Sequence, residues 1–390
     1  MRRTIKGVSW AALVREFGSL DRDSFGGTIL ARSFKGFCRA SAPPQGCCME
    51  VLSEVLRAVK LNGALFYNAE FSAPWCAHSV DAQTVNSHLS PNSQHVIIFH
   101  LLTQGRCYAN LEGDDRQIPL NAGDIIIVPN GEPHILGNGP PIKAVDRSQV
   151  LGQVLSQGLK VSRMGGGGEL TKFVCGYLSC DPQLSRVFLG ALPPIFKVSI
   201  RDDPSGEWLE NSIRYSVDNV DASRPGCGAV LAKLSEVLFV ETLRRYIANL
   251  PSGQTGWLAG VRDPEIGKTL ALLHRQPAHP WTIASLAKEV GTSRTVLAER
   301  FRRYISETPI AYLTHWRLQL GAQMLTSTSS GVAHIGAEVG YESEASFNRA
   351  FKREFGLPPA QFRSRSRIDR KRGISRALAK VNVARRHGTS

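Results

Sequence analysis

The sequence contains no apolar run near the roughly 18 residues a membrane-crossing helix requires, and no cysteines spaced Cys-x-x-Cys. The first absence argues against membrane insertion. The second leaves the cysteines at 38, 47, 48, 76, 107, 175, 180 and 227 without any repeated spacing, which argues against a disulfide framework in a chain this long. The apolar start MRRTIKGVSWAALVREF closes at Arg15 and Glu16, too soon for a secretory signal. A cytoplasmic protein with reduced thiols is expected. A phosphate loop is missing too: the glycine run at 165–168 lacks a Lys-Ser/Thr ending and opens no helix, so a flexible linker is expected there.

What is present is unevenly distributed. The 390 residues carry a net charge of +14. From Pro264 onward 21 Lys/Arg face nine Asp/Glu, a net of +12, whereas residues 49–263 carry −3. A neutral body joined to a basic third suggests a polyanion partner for one end only. Residues 1–48 are rich in Gly, Ser, Arg and Pro and read as a poorly ordered extension. A short helix (EVLSEVLRAVK) then precedes the strand-like segments ALFYNAEF, HVIIFHLL, RCYANLE, DIIIVP and KFVCGYLSC. Their turn-punctuated spacing predicts a β-sandwich or small barrel. GAVLAKLSEVLFVETLRRYIANL places Leu231, Leu234, Leu238, Leu243, Tyr246 and Ile247 along one helix, for either docking on the barrel or a dimer contact. A linker is expected over 251–262. Asp263-Pro264 then reads as an N-cap with Pro at the first helical position.

The basic third repeats itself. Val290-Gly291 matches Val339-Gly340, Ser293 matches Ser343, Phe301 matches Phe351 and Pro309 matches Pro359, at an offset of 49 before the turn and 50 after it. Each copy reads as a helix, a Gly-containing turn, a Ser N-cap and a second helix. In the second copy Phe347, Phe351 and Phe355 form an apolar stripe opposite Ala345, Arg349, Lys352 and Arg353. In the first, Val296, Leu297, Phe301 and Tyr304 are expected inward, with Thr295, Glu299, Arg302 and Arg303 outward. This is the helix-turn-helix layout, whose second helix enters the DNA major groove. Two copies in one chain predict two groove segments about one helical turn, roughly 34 Å, apart.

The motif of Gly340, Tyr341, Ser343, Phe347, Arg349, Phe351, Lys352, Gly356, Pro359, Phe362 and Arg363 resembles the C-terminal signature of the AraC/XylS family of bacterial transcription regulators. The first copy is similar through Leu286, Ala287, Val290, Gly291, Ser293, Leu297, Phe301, Pro309 and Tyr312. Gly336, standing where Ala is usual, is expected to soften the second copy, and Pro358 to weaken the last cap. GDIIIVPNGEPHILGN resembles the second cupin motif through Gly123, Pro129, Gly131, His134 and Asn138.

The resemblance implies an α+β multidomain chain: a poorly ordered extension (1–48), a cupin-like β-barrel with flanking helices (49–250), the linker, an all-α domain with two helix-turn-helix motifs (263–363), and a basic tail (364–390). It implies DNA contacts from Arg294, Thr295, Ala298, Glu299 and Arg302 in the first copy. In the second they come from Glu344, Ala345, Asn348, Arg349 and Lys352, with Arg363 on phosphate. Arg349 suits guanine and Glu299 cytosine. A barrel pocket lined by Trp75, Phe99, His100, Tyr108 and His134 is expected to hold a small-molecule effector. The expected partners are double-stranded DNA, this effector, RNA polymerase and a second copy of the chain, with no membrane partner and no cofactor. The competing reading is a cupin-derived enzyme or metal-binding sensor. Of the ligands of a cupin metal centre only His134 stands in place, because His95 and His100 are five apart and no Glu follows; a weaker set would be His100, His134, Cys175 and Cys180.

Overall fold

Strand β3 (His95–Gln104) is apolar on both faces: Val96, Ile98 and Leu102 are buried on one side, Ile97, Phe99 and Leu101 on the other. Such a strand has to lie inside a sheet covered on both faces. It does so in the computed structural model, which describes residues 51–56, 61–86, 95–140, 142–157, 159–180, 189–219 and 226–368. The extension expected over 1–48 and residues 369–390 of the basic tail lie outside these.

β3 pairs antiparallel with β6 (Asp124–Val128) and β9 (Leu170–Cys180). With β1 (Asn62–Ser72), β8 (Val161–Gly165) and β10 (Phe196–Ser199) they form a sheet of order β10-β6-β3-β9-β1-β8, whose only parallel pair is β1–β8. A second sheet orders β2 (Trp75–His78), β7 (His134–Asn138), β4 (Arg106–Leu111) and β5 (Ile118–Asn121) as β2-β7-β4-β5. Tyr67, Phe71, Ile98 and Phe173 of the larger sheet meet Trp75, Ala109 and Leu136 of the smaller one, which makes the cupin-like barrel core. Helix α1 (Arg147–Gln157) lies against it through Val150 and Val154.

The glycine run is no linker. It crosses the end of β1 as the chain passes from β8 on one side of that strand to β9 on the other, and there Gly166 and Gly168 donate to the carbonyls of Ser72 and Ala73 at 2.8 Å each. A Cβ on Gly165 would stand 1.8 Å from the Ser72 carbonyl oxygen, so only glycine fits.

The opposite face of the large sheet is covered by α2 (Pro204–Asp218) and α3 (Cys227–Ala248). Leu209, Ile213, Leu231, Leu238 and Leu243 bury there against Ile97, Phe99 and Val174. The apolar stripe of α3 is therefore a docking face within the chain. Arg201 forks onto buried Glu210 at 2.7 and 2.5 Å, and Arg245 reaches Asp203 at 2.6 Å, tying both helices to the sheet edge.

The expected linker is shorter than its composition suggested. Residues 257–262 form α4 (Trp257–Arg262), with Trp257, Leu258 and Val261 buried. Composition misled because one apolar helical turn follows the Gly- and Ser-rich stretch directly. Asp263 caps α5 (Pro264–Arg275), accepting from the amides of Glu265 and Ile266 at 3.1 Å, and its other oxygen takes Arg300 at 2.5 Å. Then follow α6 (Ile283–Val290), α7 (Arg294–Ile305), α8 (Pro309–Ser327), α9 (Val332–Glu338), α10 (Glu344–Phe355) and a last helix over 359–368. Among the described residues no helix is long and apolar enough to cross a membrane.

α8 belongs to both helix-turn-helix copies. Its Tyr312, Leu313 and Trp316 join the core of the first copy, which runs on through α4 into the helical layer of the barrel. Its Leu318, Ala322 and Leu325 instead join a separate core with Ile335, Phe347 and Phe351 of the second copy.

Candidate functional site

The two second helices of the repeat are built alike. Ser293 and Ser343 cap them, each side chain accepting an amide at 3.2 Å, from Val296 and from Ser346. Leu297 and Phe301 anchor α7, while Phe347, Ala350 and Phe351 anchor α10. The turns before them use Gly291 and Gly340 at φ of 82° and 92°. What remains outward includes Arg294, Thr295, Glu299 and Arg302 on α7, and Glu344, Ala345, Arg349 and Lys352 on α10; Ala298 and Asn348 are half-buried beside them. The Asn348 amide lies 3.5 Å from Glu344 Oε1, which orients its side chain.

Three expectations change here. Val296 is 42% exposed and belongs to the outer surface. It is the third residue of the helix and falls off the stripe set by Leu297 and Phe301. Arg363 donates to the carbonyl of Leu325 at 3.1 Å and of Ser330 at 2.6 Å, so its guanidinium ties the last helix to the end of α8. Free carbonyls at a helix end attract such a cation. Finally, a Cβ on Gly336 would sit 3.1 Å from Phe347 Cβ. Gly336 gives α10 its close approach, so its propensity cost is offset by packing.

Within the barrel, the alternation of β3 and β9 sorts the remaining candidates. His100 points between the sheets and is paired in register with Cys175. His100 Nδ1 lies 2.6 Å from Cys175 Sγ, and His100 Nε2 lies 2.7 Å from His134 Nε2. His134 Nδ1 lies 2.7 Å from the Glu132 carbonyl. A carbonyl only accepts, so His134 carries its proton on Nδ1 and presents a bare Nε2. His100 must then donate from Nε2, which leaves its Nδ1 to accept from the Cys175 thiol. All three members are fully or nearly fully buried, at 2%, 0% and 2% exposure for His100, His134 and Cys175. Burial, reinforced by neighbouring His134, holds His100 well below the usual imidazole range. Burial brings His134 down to about 4 and pushes the Cys175 thiol well up. At neutral pH the chain is uncharged from end to end.

His100 and Trp75 line a cavity together with Tyr67, Phe71, Leu136 and Phe173. Its volume of about 20 Å³ has room for one water molecule or so. Three predicted lining residues are not on its wall: His134 stands behind His100, one hydrogen bond away, and the other two lie elsewhere. Phe99 is adjacent to His100 on the strand and therefore faces the helical layer, in the space left by Gly176, where a Cβ would lie 2.1 Å from the Phe99 ring. Tyr108 alternates with inward Cys107 and Ala109, and its hydroxyl stands over Cys76 Sγ at 3.8 Å on the outside. Tyr67, Phe71 and Phe173 escaped the sequence reading. The period-2 pattern of ALFYNAEF and KFVCGYLSC contains them, although it cannot say which face of either strand looks inward.

The metal sets do not assemble. Cys180 belongs to the core on the far side of the large sheet from Cys175. His95 turns away to the Pro129 carbonyl at 2.8 Å. His100 commits its two nitrogens to different neighbours, so only one could meet an ion. Among the described residues no group of three or more His, Cys, Asp or Glu is placed to hold a metal.

A sheet-walled barrel with an internal cavity is packed through a helical layer onto two capped helix-turn-helix units, a cupin-like domain joined to a DNA-binding one. Comparison with known proteins agrees. A cupin family model matches residues 50–248, and a helix-turn-helix domain model matches 286–365. An AraC-like transcription regulator of Streptomyces lividans is 32% identical, over 70% of this chain and 88% of that one. The transcriptional regulator AlkR of Acinetobacter baylyi is 28% identical, over 82% of this chain and 100% of its own. The RCS-specific transcriptional activator RclR of Escherichia coli is 31% identical, over 70% of this chain and 86% of its own. The chain belongs to the AraC-like family of transcription regulators. It is a transcription regulator that binds double-stranded DNA.

Proposed function

We propose that α7 and α10 read two successive major-groove segments on one face of the duplex, and that the barrel cavity receives a small molecule which modulates that reading. The observation carrying the first part is the shared mounting of both helices. Each is Ser-capped, buried on one side and polar on the other, and α8 serves both. Arg349 is the strongest base reader. It is exposed on the outward face of α10 and has the fork geometry to bridge guanine O6 and N7. Thr295, Ala298 and Glu299 supply the weaker first-copy reading, and Arg294, Arg302 and Lys352 hold phosphates. One chain carries both readers, so a second copy is not required for two-site contact. A cytoplasmic regulator of this kind meets RNA polymerase at its promoter.

The second part rests on the large sheet as a shared partition. His100 and Cys175 face the cavity, whereas their strand neighbours Phe99, Leu101 and Val174 face the layer that continues into the first helix-turn-helix core. A molecule that shifts β3 or β9 therefore acts on both sides, and its binding must be linked reciprocally to DNA binding.

Selection of bound duplexes from a random pool by the purified full chain tests the DNA reading. Two enriched blocks about one turn, roughly 34 Å, apart are expected. One block would leave a copy as a backbone clamp, and no enrichment would remove sequence-specific reading. Arg349→Ala should cost about 1–3 kcal/mol at a single base pair and relax preference there. Equal loss on every sequence would make Arg349 a phosphate contact.

A further inference from the structure

The cavity identifies the chemistry of what it can take. Most of its polar groups are already paired; the exception is His78 Nδ1, which makes no hydrogen bond and lies 3.8 Å from Glu112 at the rim. Cys175, His100 and His134 form the chain that ends on the Glu132 carbonyl. Ser79 Oγ lies 3.2 Å from His100 Nε2, the Tyr67 hydroxyl donates to Gln153 at 2.5 Å, and the Trp75 indole reaches Thr171 at 3.4 Å. The rings are engaged too. Phe71 meets Trp75 and Phe173 edge-on at 5.1 and 5.2 Å, and Trp75 stacks on Phe173 at 5.6 Å. Their faces are thus not free to cage a cation.

Formal charge lies only at the rim, where one guanidinium is shared between two carboxylates. Arg147 sits 3.4 Å from Asp81 and 3.1 Å from Glu112, and Glu112 is 3.8 Å from the rim residue His78. A charged guest would shed its water without meeting a formally charged group inside the cavity, a cost that disfavours it.

The way in is marked by α1. This helix closes the cavity with Val150 and is held at two points, by Gln153 on Tyr67 and by Arg147, which donates to the Ser79 carbonyl at 3.0 Å. A cavity of about 20 Å³ cannot hold an organic molecule until something moves, and α1 is the helical wall, packed onto the barrel by side chains and not hydrogen-bonded into either sheet.

We propose that the guest is a small, uncharged, largely apolar molecule, admitted between the two sheets by displacement of α1. This rests on the effector reading above and gives it a ligand class. The test measures binding of three probes of similar shape to the full chain, ethylbenzene, benzoate and benzylammonium, by ligand-observed NMR. Saturable binding of ethylbenzene is expected, at least tenfold tighter than either ion. Gln153→Ala, which frees α1, should speed its association. Ala77→Phe, which fills the cavity, should abolish it, and Val150→Phe serves the same end from the helix side should the first variant fold poorly. Benzoate or benzylammonium binding as tightly, with the same loss in the filled variants, would overturn the ligand class while leaving the cavity as the effector site. No binding by any probe to either the wild-type chain or Gln153→Ala, or binding that survives both filling variants, would overturn the site itself. Ethylbenzene bound in the cavity with DNA affinity unchanged would support the ligand class and remove the effector role.

Discussion

Ser306 occupies the left-handed position that ends α7, at φ 66°, where its counterpart in the second copy is Gly356 at φ 73°. A side chain is strained there and glycine is not. Ser306→Gly should therefore raise stability by about 0.5–1 kcal/mol, net of the extra freedom glycine gives the unfolded chain. Chemical denaturation of the two proteins checks this, and a loss of stability would mean that the serine hydroxyl matters more than the backbone strain. The same comparison shows what one residue type discloses by itself. The capping serines Ser293 and Ser343 were legible because a hydroxyl before a helical stripe has a local job. The inward or outward sense of Phe99 and Tyr108 was not, because alternation sets only relative facing.

Among the helices, α4 carries a role its six residues do not advertise. The Trp257 indole donates to the Tyr312 hydroxyl at 2.8 Å, and that hydroxyl lies 2.8 Å from His274 Nε2. Trp257 only donates, so Tyr312 accepts from it and has its own O–H left to donate to His274 Nε2. One buried chain thereby ties the end of the regulatory part to α8 and α5. A second tie comes from Arg262, which donates to the Leu250 carbonyl. Tyr312→Phe removes the middle link and strands a buried N–H and an imidazole nitrogen. The expected cost is about 1–3 kcal/mol of unfolding free energy. If α4 also transmits the state of the barrel, the variant should weaken any dependence of DNA affinity on a cavity ligand. A Tyr312→Phe protein of unchanged stability would show that the chain is dispensable.

For the molecule as a whole, three buried imidazoles predict an acid-sensitive fold. Burial pulls His134 to about 4 and His274 to about 3, and holds His100 well below its ordinary value. Each folded pKa lies below the unfolded value of about 6.5, so the unfolded chain binds more protons in between. Their stabilisation is whole above about pH 6.5 and is lost progressively as pH falls toward 4. His134 alone corresponds to about 3 kcal/mol at the bottom of that window. Unfolding midpoints measured between pH 7 and 4 should fall, and His274→Gln should flatten the decline. A flat wild-type profile would mean that these imidazoles are solvated or paired in ways their burial hides. Two separate cores in the DNA-binding part add a mechanical consequence. The first helix-turn-helix shares its core with the barrel's helical layer, whereas the core of the second is built from α8, the last helix and its own helices. In hydrogen exchange, α9 and α10 should therefore open independently of the barrel, while α6 and α7 should open with it.

The sequence by itself determined the repeat, the capped helices, the basic third, the central strands β3, β6 and β9, and the family. All of these are written in local periodicity, turn chemistry and spacing. It missed β2, β5, β7, β8 and β10, which are short or ragged in pattern and exist because neighbouring strands supply their partners. Only the tertiary structure decided which face of each strand lines the cavity, that Cys175 and Cys180 part company across a sheet, and that Arg363 serves α8. Only it showed that α4 fuses sensor and reader through one core. Those outcomes depend on side chains brought together from distant parts of the chain, where nothing in the local order of residues records the pairing.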